Sequence, residues 1–486
     1  MTDSTPGELE VALSAASSAA TALAATRIEE RAGMLRTLAD RIDGASDDLV
    51  PIAVQESHLP IERLTGEVGR TTGQLRFLAD VLQDGGWLEA TIDTLDPSAP
   101  ALRPDVRSMR IPIGPALVFA ASNFPFAFSV AGGDTAAALA AGCPVILKIH
   151  PGHPQLSARV GELVRAVFGD AFATISGVDA GRAAIVDPRV KVAAFTGSTA
   201  GGRALFDLAV RREDPIPFYG ELGSVNPAFV APGAAQARAQ EIASGFVGSF
   251  TLGTGQFCTK PGLLFVPKGS GLLAETIAAA EATGPAPMLG AWVSEGHAAR
   301  LRELRDAPEI DVALDGGDAD AGATRATVLA TTLDAILGGP RHLLEECFGP
   351  TAIVVEYDDV SDLPAVGEAI GGSLTASLHA ETDEVAALQP LAHALERLAG
   401  RVVWNGWTTG VRVGWAMQHG GPWPASTSAG STSVGAASLA RFLRPIAYQS
   451  APDAALPSAL RDHNELGILR RIDGVLTTAD VEEGTS

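Results

Sequence analysis

The sequence predicts an α/β protein built on two parallel sheets. Short uninterrupted apolar runs alternate with amphipathic helical segments, first over 115–212 and again from 218 onward. Strands that are apolar on both faces and separated by helices belong to a parallel sheet covered on both sides. At 486 residues the chain is also too long for one ordinary core.

The elements follow in order from periodicity and punctuation. Residues 8–45 and 58–84 carry apolar side chains at helical spacings, as in ELEVALSAASSAATALAAT and IEERAGMLRTLADRI. Residues 86–114 turn to short strands and prolines. PALVFA is then a strand, SVAGGDTAAALAAG a helix, PVILKI a strand and SARVGELVRAVFG a helix. ATISG and VKVAAFTG are strands, followed by the helix GGRALFDLAVRR. The second alternation opens at FYGELGSVNPAFVAPG, where two strands flank Gly223. A helix over Arg238–Ser249 runs into GTGQFC, and PGLLFVP is again a strand. The acidic, glycine-rich DGGDADAGATRA reads as an exposed hairpin or loop, and 351–379 returns to strand and helix. Such sheets bind ligands in the crevice at the carboxyl ends of their strands.

Composition narrows the partners. A net charge of −22 argues against nucleic acid and anionic membranes, but not against an anionic small molecule in a local basic pocket. The three cysteines, Cys143, Cys258 and Cys347, form no disulfide framework and have no metal-ligand spacing, so no metal and a reducing cytoplasm are expected. The amino terminus is acidic before it is apolar, the reverse of a secretory signal. The uncharged run 115–133 is broken by Asn123, Pro125, Gly132 and Gly133, so no membrane span is expected there.

Cys258 lies in GTGQFCTKPG. A lone cysteine is more often an inert core residue than a nucleophile. Here Gly253 and Gly255 leave room for a ligand or a backbone to approach. A reactive thiol also needs a group to hold charge and a group to move protons.

GQFCTKPG resembles the nucleophile segment of the aldehyde dehydrogenase superfamily. ELG at 221–223 resembles its glutamate motif, SNFPF at 122–126 its asparagine motif, FTGSTAGG at 195–202 its cofactor turn and EECFGP at 345–350 its E-x-F-G-P motif. The resemblance implies two Rossmann-like parallel-sheet domains plus a β-strand oligomerisation flap. It assigns 1–97 and 116–220 to a cofactor-binding domain, 221–425 to a catalytic domain and 98–115 with 426–450 to the flap. Residues 451–486 are left as a C-terminal extension, and a homodimer or homotetramer is implied.

The same resemblance implies roles. Cys258 would attack the aldehyde, Asn123 and the Cys258 N–H would form the oxyanion hole, and Glu221 would activate the hydrolytic water. Lys148 would hold the adenosine ribose, Gly197 and Ser198 would meet the pyrophosphate, and Gly202 would let the helix pack. Glu346 would hold the nicotinamide ribose, with Phe348 near the ring. NAD-selective members often carry a glutamate three residues after the lysine; Pro151 stands there, which permits NADP as well as NAD. His150, His153 or Arg189 could favour the extra phosphate.

Residues 122–154, 404–449 and the tail LPSALRDHNELGILRRIDGVLT resemble the branch that oxidises α-ketoglutaric semialdehyde, also called 2,5-dioxopentanoate. An anionic aldehyde needs a cation, and Arg70 is the first candidate, with Gln74 on the same helix face, Phe124 beside it and Arg412 as the alternative. Cys347 and the tryptophans 404, 407, 415 and 423 depart from the branch, and the tryptophans would reshape the aldehyde tunnel. The alternatives are an NADP-preferring medium- or long-chain fatty aldehyde dehydrogenase and a catalytically inactive binding protein of the same fold. A CoA-acylating relative commonly lacks the glutamate, and a cysteine hydrolase would leave FTGSTAGG without a purpose.

Overall fold

The computed structural model describes residues 2–96, 103–317 and 323–481. Its first sheet has five parallel strands in the order Phe172–Ile175, Val145–Lys148, Ala116–Phe119, Val192–Thr196, Phe218–Glu221. Every residue of the central strand Ala116–Phe119 is buried, as expected of a strand covered on both faces. Helices Ile28–Gly44 and Ile61–Asp84 pack over this unit and share one apolar core with it.

The second sheet has seven strands, in the order Asp311–Leu314, Thr327–Thr332, Thr351–Tyr357, Leu263–Pro267, Pro227–Val230, Ser373–His379, Ala399–Trp404. Only the edge strand Asp311–Leu314 runs antiparallel. The two-residue period sends Phe229 and Phe265 into the core on one face, their rings stacked at 4.7 Å, and Ala228 and Val230 into the core on the other. Each fully buried phenylalanine of this kind contributes roughly 1.5–3 kcal/mol of transfer free energy.

Local differences from the sequence reading have identifiable causes. The helix expected over 129–142 begins only at Gly133, because Gly132 is pressed onto the backbone at Ala127, where an added Cβ would lie 2.4 Å from the carbonyl oxygen. A helix at Ser46–Ser57, unassigned in the sequence, buries Leu49, Val50 and Ala53 in spite of Pro51. The expected loop at 315–326 joins the antiparallel pair Asp311–Leu314 and Thr327–Thr332; residues 318–322 lie outside the described residues.

A third sheet takes the order Leu443–Gln449, Val106–Pro112, Thr91–Asp93, Arg470–Ile472, Val475–Thr477. The flap expected over 98–115 and 426–450 is narrower in the structure. Its strands are 106–112 and 443–449, paired antiparallel, while 98–102 lie outside the described residues. Residues 426–435 run past Glu221 instead, and Ala436–Phe442 form a 3-10 helix whose Leu439 and Phe442 are buried in the first core. The C-terminal segment is not a separate extension. Leu456, Leu460 and Ile468 bury themselves against Leu88 and Ile92, and the strands that follow complete the same sheet. Among the described residues no helix is long and apolar enough to cross a membrane.

Candidate active site

Cys258 is held by a loop that only its glycines permit. Helix Pro232–Thr251 ends in a turn over Leu252–Gly255, and Gly255 takes φ of 67°. A Cβ there would lie 2.1 Å from the Gly349 carbonyl oxygen, so the nucleophile loop is pressed against the E-C-F-G-P segment. Gln256 ties the loop at both ends: its Nε2 donates to Gly253 O at 2.9 Å and its Oε1 accepts from Leu289 N at 2.9 Å. Asn226 Nδ2 donates to Cys258 O at 2.8 Å and to Lys260 O at 3.0 Å. The buried Lys260 ammonium donates to Cys347 O and Thr351 O, both at 2.8 Å. The Cys258 side chain on this loop is half-buried.

It faces a carboxylate and an imidazole. Glu221 ends the edge strand Phe218–Glu221 of the first sheet, and His419 comes from the long segment after the second. Ligand atoms of Glu221, Cys258 and His419 all lie within 4.8 Å of one another. His419 Nε2 is 3.0 Å from Glu221 Oε1 and 3.6 Å from Cys258 Sγ. An ionised carboxylate only accepts, so the imidazole carries its proton on Nε2 and donates to Glu221, with the thiol within its reach. Ser433 Oγ donates to Glu221 Oε2 at 2.5 Å. Burial pushes the Glu221 carboxyl up, but His419, Ser433 and Cys258 together hold it below the ordinary range. The thiol is pushed well up, first by burial and then by the Glu221 carboxylate, against the pull of Arg70. The pair is therefore a protonated thiol beside an ionised base. A thiol, a carboxylate and an imidazole also make a zinc-type donor set, which the linear spacing of the cysteines did not suggest.

Asn123 arrives from the loop after strand Ala116–Phe119, and its Nδ2 donates to Gln256 O at 3.1 Å, two residues before Cys258. Helix Ile61–Asp84 braces this loop with one face. Buried Glu67 accepts from Phe126 N at 2.8 Å and Ala127 N at 2.9 Å, and Arg63 Nη2 donates to Asn123 O at 2.6 Å. The Arg63 guanidinium sits 5.1 Å from the Phe124 ring and 4.8 Å from the Phe257 ring; Arg70 sits 5.0 Å from the Phe128 ring. One buried nitrogen of each, Nη1, has no hydrogen-bond partner among the described residues. The surroundings of the nucleophile segment are thus aromatic, with two guanidiniums that each carry a spare buried N–H group. Gln74, also on this helix, is buried against Gly133. Arg412 is exposed.

Several expected contributors stand elsewhere. Trp407 packs on Phe246 and His379 at 5.5 and 4.4 Å, in the far core of the second sheet. Trp415 meets Phe77 edge-on at 5.4 Å, Trp423 lies 5.7 Å from the Arg203 guanidinium, and Trp404 is exposed at a strand end. The aromatic rings near Cys258 are phenylalanines instead: Phe124 meets Phe128 and Phe257 edge-on at 5.4 and 5.1 Å.

The cofactor-type residues line the crevice at the carboxyl ends of the first sheet. Helix Thr199–Val210 begins there, with Ser198 as its cap accepting from Gly201 N at 3.2 Å. A Cβ at Gly202 would lie 2.1 Å from Leu222 Cδ2, so this helix sits close on the strand end carrying Glu221. At Gly223 a Cβ would meet Glu346 Oε2 at 2.9 Å and Thr199 Oγ1 at 3.0 Å, which leaves a cradle between helix start and carboxylate. Gly197 lies just before the Ser198 cap, and Phe348 packs against the first unit's core. Burial pushes the Glu346 carboxyl up to about 7. Lys148 ends strand Val145–Lys148 beside a cavity of about 170 Å³. A helix N-terminus, a cradle, an ammonium and a carboxylate fit a dinucleotide in kind and in order.

The three basic residues expected to favour a 2′-phosphate are not free to do so. Burial first, then His153 and Lys148, lower His150 to about 3, and its Nδ1 accepts from Gly152 N at 3.0 Å. His153 is buried, with Nε2 3.0 Å from Ala121 O. Arg189 is committed to Asp187 and Glu10 at 2.8 and 2.7 Å.

Residues 1–444 match the sequence model of the aldehyde dehydrogenase family. The chain belongs to the aldehyde dehydrogenase family. This dehydrogenase is 42% identical to "Alpha-ketoglutaric semialdehyde dehydrogenase 2" of Azospirillum brasilense, over 96% of this chain and 91% of that one. It is 39% identical to "Alpha-ketoglutaric semialdehyde dehydrogenase" of Acinetobacter baylyi, over 93% and 88%. Among solved structures, NADP-dependent glyceraldehyde-3-phosphate dehydrogenase from Bacillus halodurans, complexed with NADP, shares the fold with a TM-score of 0.78. It is 20% identical, over 92% of each chain.

Arg63, Glu67, His419 and Ser433 were not among the residues expected from sequence. For the first two a signal existed, since Arg63, Glu67, Arg70 and Gln74 recur at helical spacing on one face. For His419 and Ser433 there was none; they lie in an irregular segment and reach Glu221 only through the tertiary fold.

Proposed function

We propose that the enzyme oxidises α-ketoglutaric semialdehyde to 2-oxoglutarate through a thioester on Cys258, with NAD or NADP as hydride acceptor. The observation that carries the substrate is the pair Arg63 and Arg70, each with a buried unpartnered nitrogen beside the nucleophile loop. A guanidinium with a spare N–H suits the carboxylate of a short keto acid better than an apolar chain. The names carried by the Azospirillum and Acinetobacter relatives support the same substrate.

Glu221 takes the Cys258 proton, and His419 Nε2–H, within reach of both, stabilises the thiolate. The thiolate adds to the aldehyde carbon, and the resulting oxyanion is held by Asn123 Nδ2 and the Cys258 N–H, each such donor being worth about 3 kcal/mol. NAD or NADP held in the crevice would supply the acceptor for the hydride that leaves this carbon, leaving a thioester on Cys258. Glu221 passes the proton from Cys258 to solvent and, ionised again, removes a proton from water. Hydroxide adds to the thioester carbon, the C–S bond breaks, and the thiolate leaves and regains a proton from Glu221 as the carboxylic acid forms. Lys148 would hold the adenosine ribose beside His150. Gly197, Ser198 and the helix start closed by Gly202 would hold the pyrophosphate, and Glu346 with Phe348 would hold the nicotinamide end.

The third sheet would serve as the flap of a homodimer or homotetramer, since its outermost strand Leu443–Gln449 is paired on one side only among the described residues. A cytoplasmic location is the reading that suits three unpaired cysteines. The test is a panel of α-ketoglutaric semialdehyde, succinic semialdehyde and a medium-chain fatty aldehyde with both cofactors. The semialdehyde of 2-oxoglutarate should lead in kcat/KM; a clear lead for the fatty aldehyde would overturn the substrate assignment.

A further inference from the structure

The amino-terminal residues lie in an unexpected place. Ser4 N donates to Ser176 O at 3.0 Å, Ser176 N donates to Ser4 Oγ at 3.0 Å, and Ser176 Oγ donates to Thr2 O at 2.9 Å. This clip fastens the chain start to the loop after strand Phe172–Ile175, before helix Pro6–Ala25 opens with the Thr5–Glu8 capping box. Asp3 is thereby laid over Gly177, which takes φ of 95°; a Cβ on Gly177 would lie 2.5 Å from Asp3 Cγ. Asp3, Lys148, Pro151, Ser176 and Val178 line one cavity of about 170 Å³ at the carboxyl ends of two neighbouring strands of the first sheet.

The cavity therefore holds one ammonium and one carboxylate, and the carboxylate comes from the chain start. Position 151, from which a side chain could have supplied an acceptor, is a proline. Burial lowers Lys148 and Asp3 raises it, consistent with two charges facing a shared space. His150, His153 and Arg189 are neutral, buried or already paired, as described above. A dianionic phosphate in this cavity would meet Asp3 with, among the described residues that line it, only Lys148 to offset it, whereas a hydroxyl pair would find an acceptor and a donor.

We propose that Asp3, clipped in place by Ser4 and Ser176, reads the adenosine ribose: it accepts a hydrogen bond from the 2′-hydroxyl and repels a 2′-phosphate, so the enzyme prefers NAD. The inference rests on the reading that the cavity beside Lys148 takes that ribose. The test uses calorimetric dissociation constants for ADP-ribose and 2′-phospho-ADP-ribose, on full-length protein tagged at the carboxyl end. Wild type is compared with Asp3→Asn, Asp3→Ala and Lys148→Ala, with melting temperatures as the folding control. Asp3→Asn, isosteric and uncharged, should shift the ratio of the two constants toward the phosphorylated ligand by about tenfold, the scale of one like-charge contact removed. Asp3→Ala should do the same. A ratio unchanged in both Asp3 variants while Lys148→Ala weakens both ligands would overturn the role of Asp3 and leave the ribose site standing. A ratio unchanged with Lys148→Ala also silent would overturn both.

Discussion

Replacing His419 by alanine tests the arrangement at its centre. In the structure one donor, Nε2–H, serves two acceptors: Glu221 Oε1 at 3.0 Å and Cys258 Sγ at 3.6 Å. Because a single proton cannot satisfy both at once, the loss corresponds to one charge-assisted hydrogen bond at a time, about 1.5–3 kcal/mol. That converts to roughly a 10- to 150-fold fall in kcat/KM. Direction can be read separately from magnitude. Without His419 the Cys258 thiolate loses its donor, so the pH profile of its alkylation by iodoacetamide should move to higher pH. Glu221 loses one of the groups that hold it low, so the acid limb of kcat should also move upward. His419→Gln, which keeps an N–H near the same place, should recover part of both shifts. An alanine variant with a wild-type alkylation profile and kcat/KM within about twofold of wild type would refute the reasoning, since loss of one charge-assisted bond cannot be that small.

Three further predictions address the surrounding residues. Arg70→Ala should raise KM for α-ketoglutaric semialdehyde by about 10- to 100-fold while leaving propionaldehyde nearly unchanged; an equal effect on both would deny the guanidinium a role in anion binding. Burial pushes the Glu346 carboxyl up to about 7, so above that value it loses its O–H donor and presents two charged acceptor oxygens to the ribose hydroxyls. The dissociation constant for the dinucleotide should tighten as pH rises through this range and lose that step in Glu346→Gln, read by calorimetry. Gly255→Ala should destabilise the fold by about 1–3 kcal/mol, because φ is positive and the new Cβ meets backbone rather than a movable side chain. Thermal melting and thiol titration would show it, and a variant with unchanged melting and unchanged Cys258 reactivity would contradict the tight seating of the loop.

Local chemistry accounts for what was legible without coordinates. The strands were readable because a fully buried parallel strand must be apolar at every position, as 116–119 is, and the helices between them because one face must be apolar. Cys258, Asn123 and Glu221 could be singled out because each sits in a short motif that resembles one of the family's. Arg63 and Glu67 could have been found by the same helical period that placed Gln74 on the face of Arg70.

The remainder depended on contacts between segments far apart in the chain. His419 reaches Glu221 across 198 positions and Ser433 across 212, and nothing in the residues around either carries a trace of that meeting. Residues 426–435 looked like flap text but were drawn to the carboxylate, and the C-terminal segment became sheet because its apolar residues found Leu88 and Ile92. Asp3 acquires a meaning only where Ser4 meets Ser176. Sequence alone determined the two-sheet architecture and pointed to Cys258, since periodicity and short family-like motifs are properties of short windows. The tertiary structure decided which distant groups share the reacting site and which charges face the cofactor crevice, because those are set by packing, whose partners no short window contains.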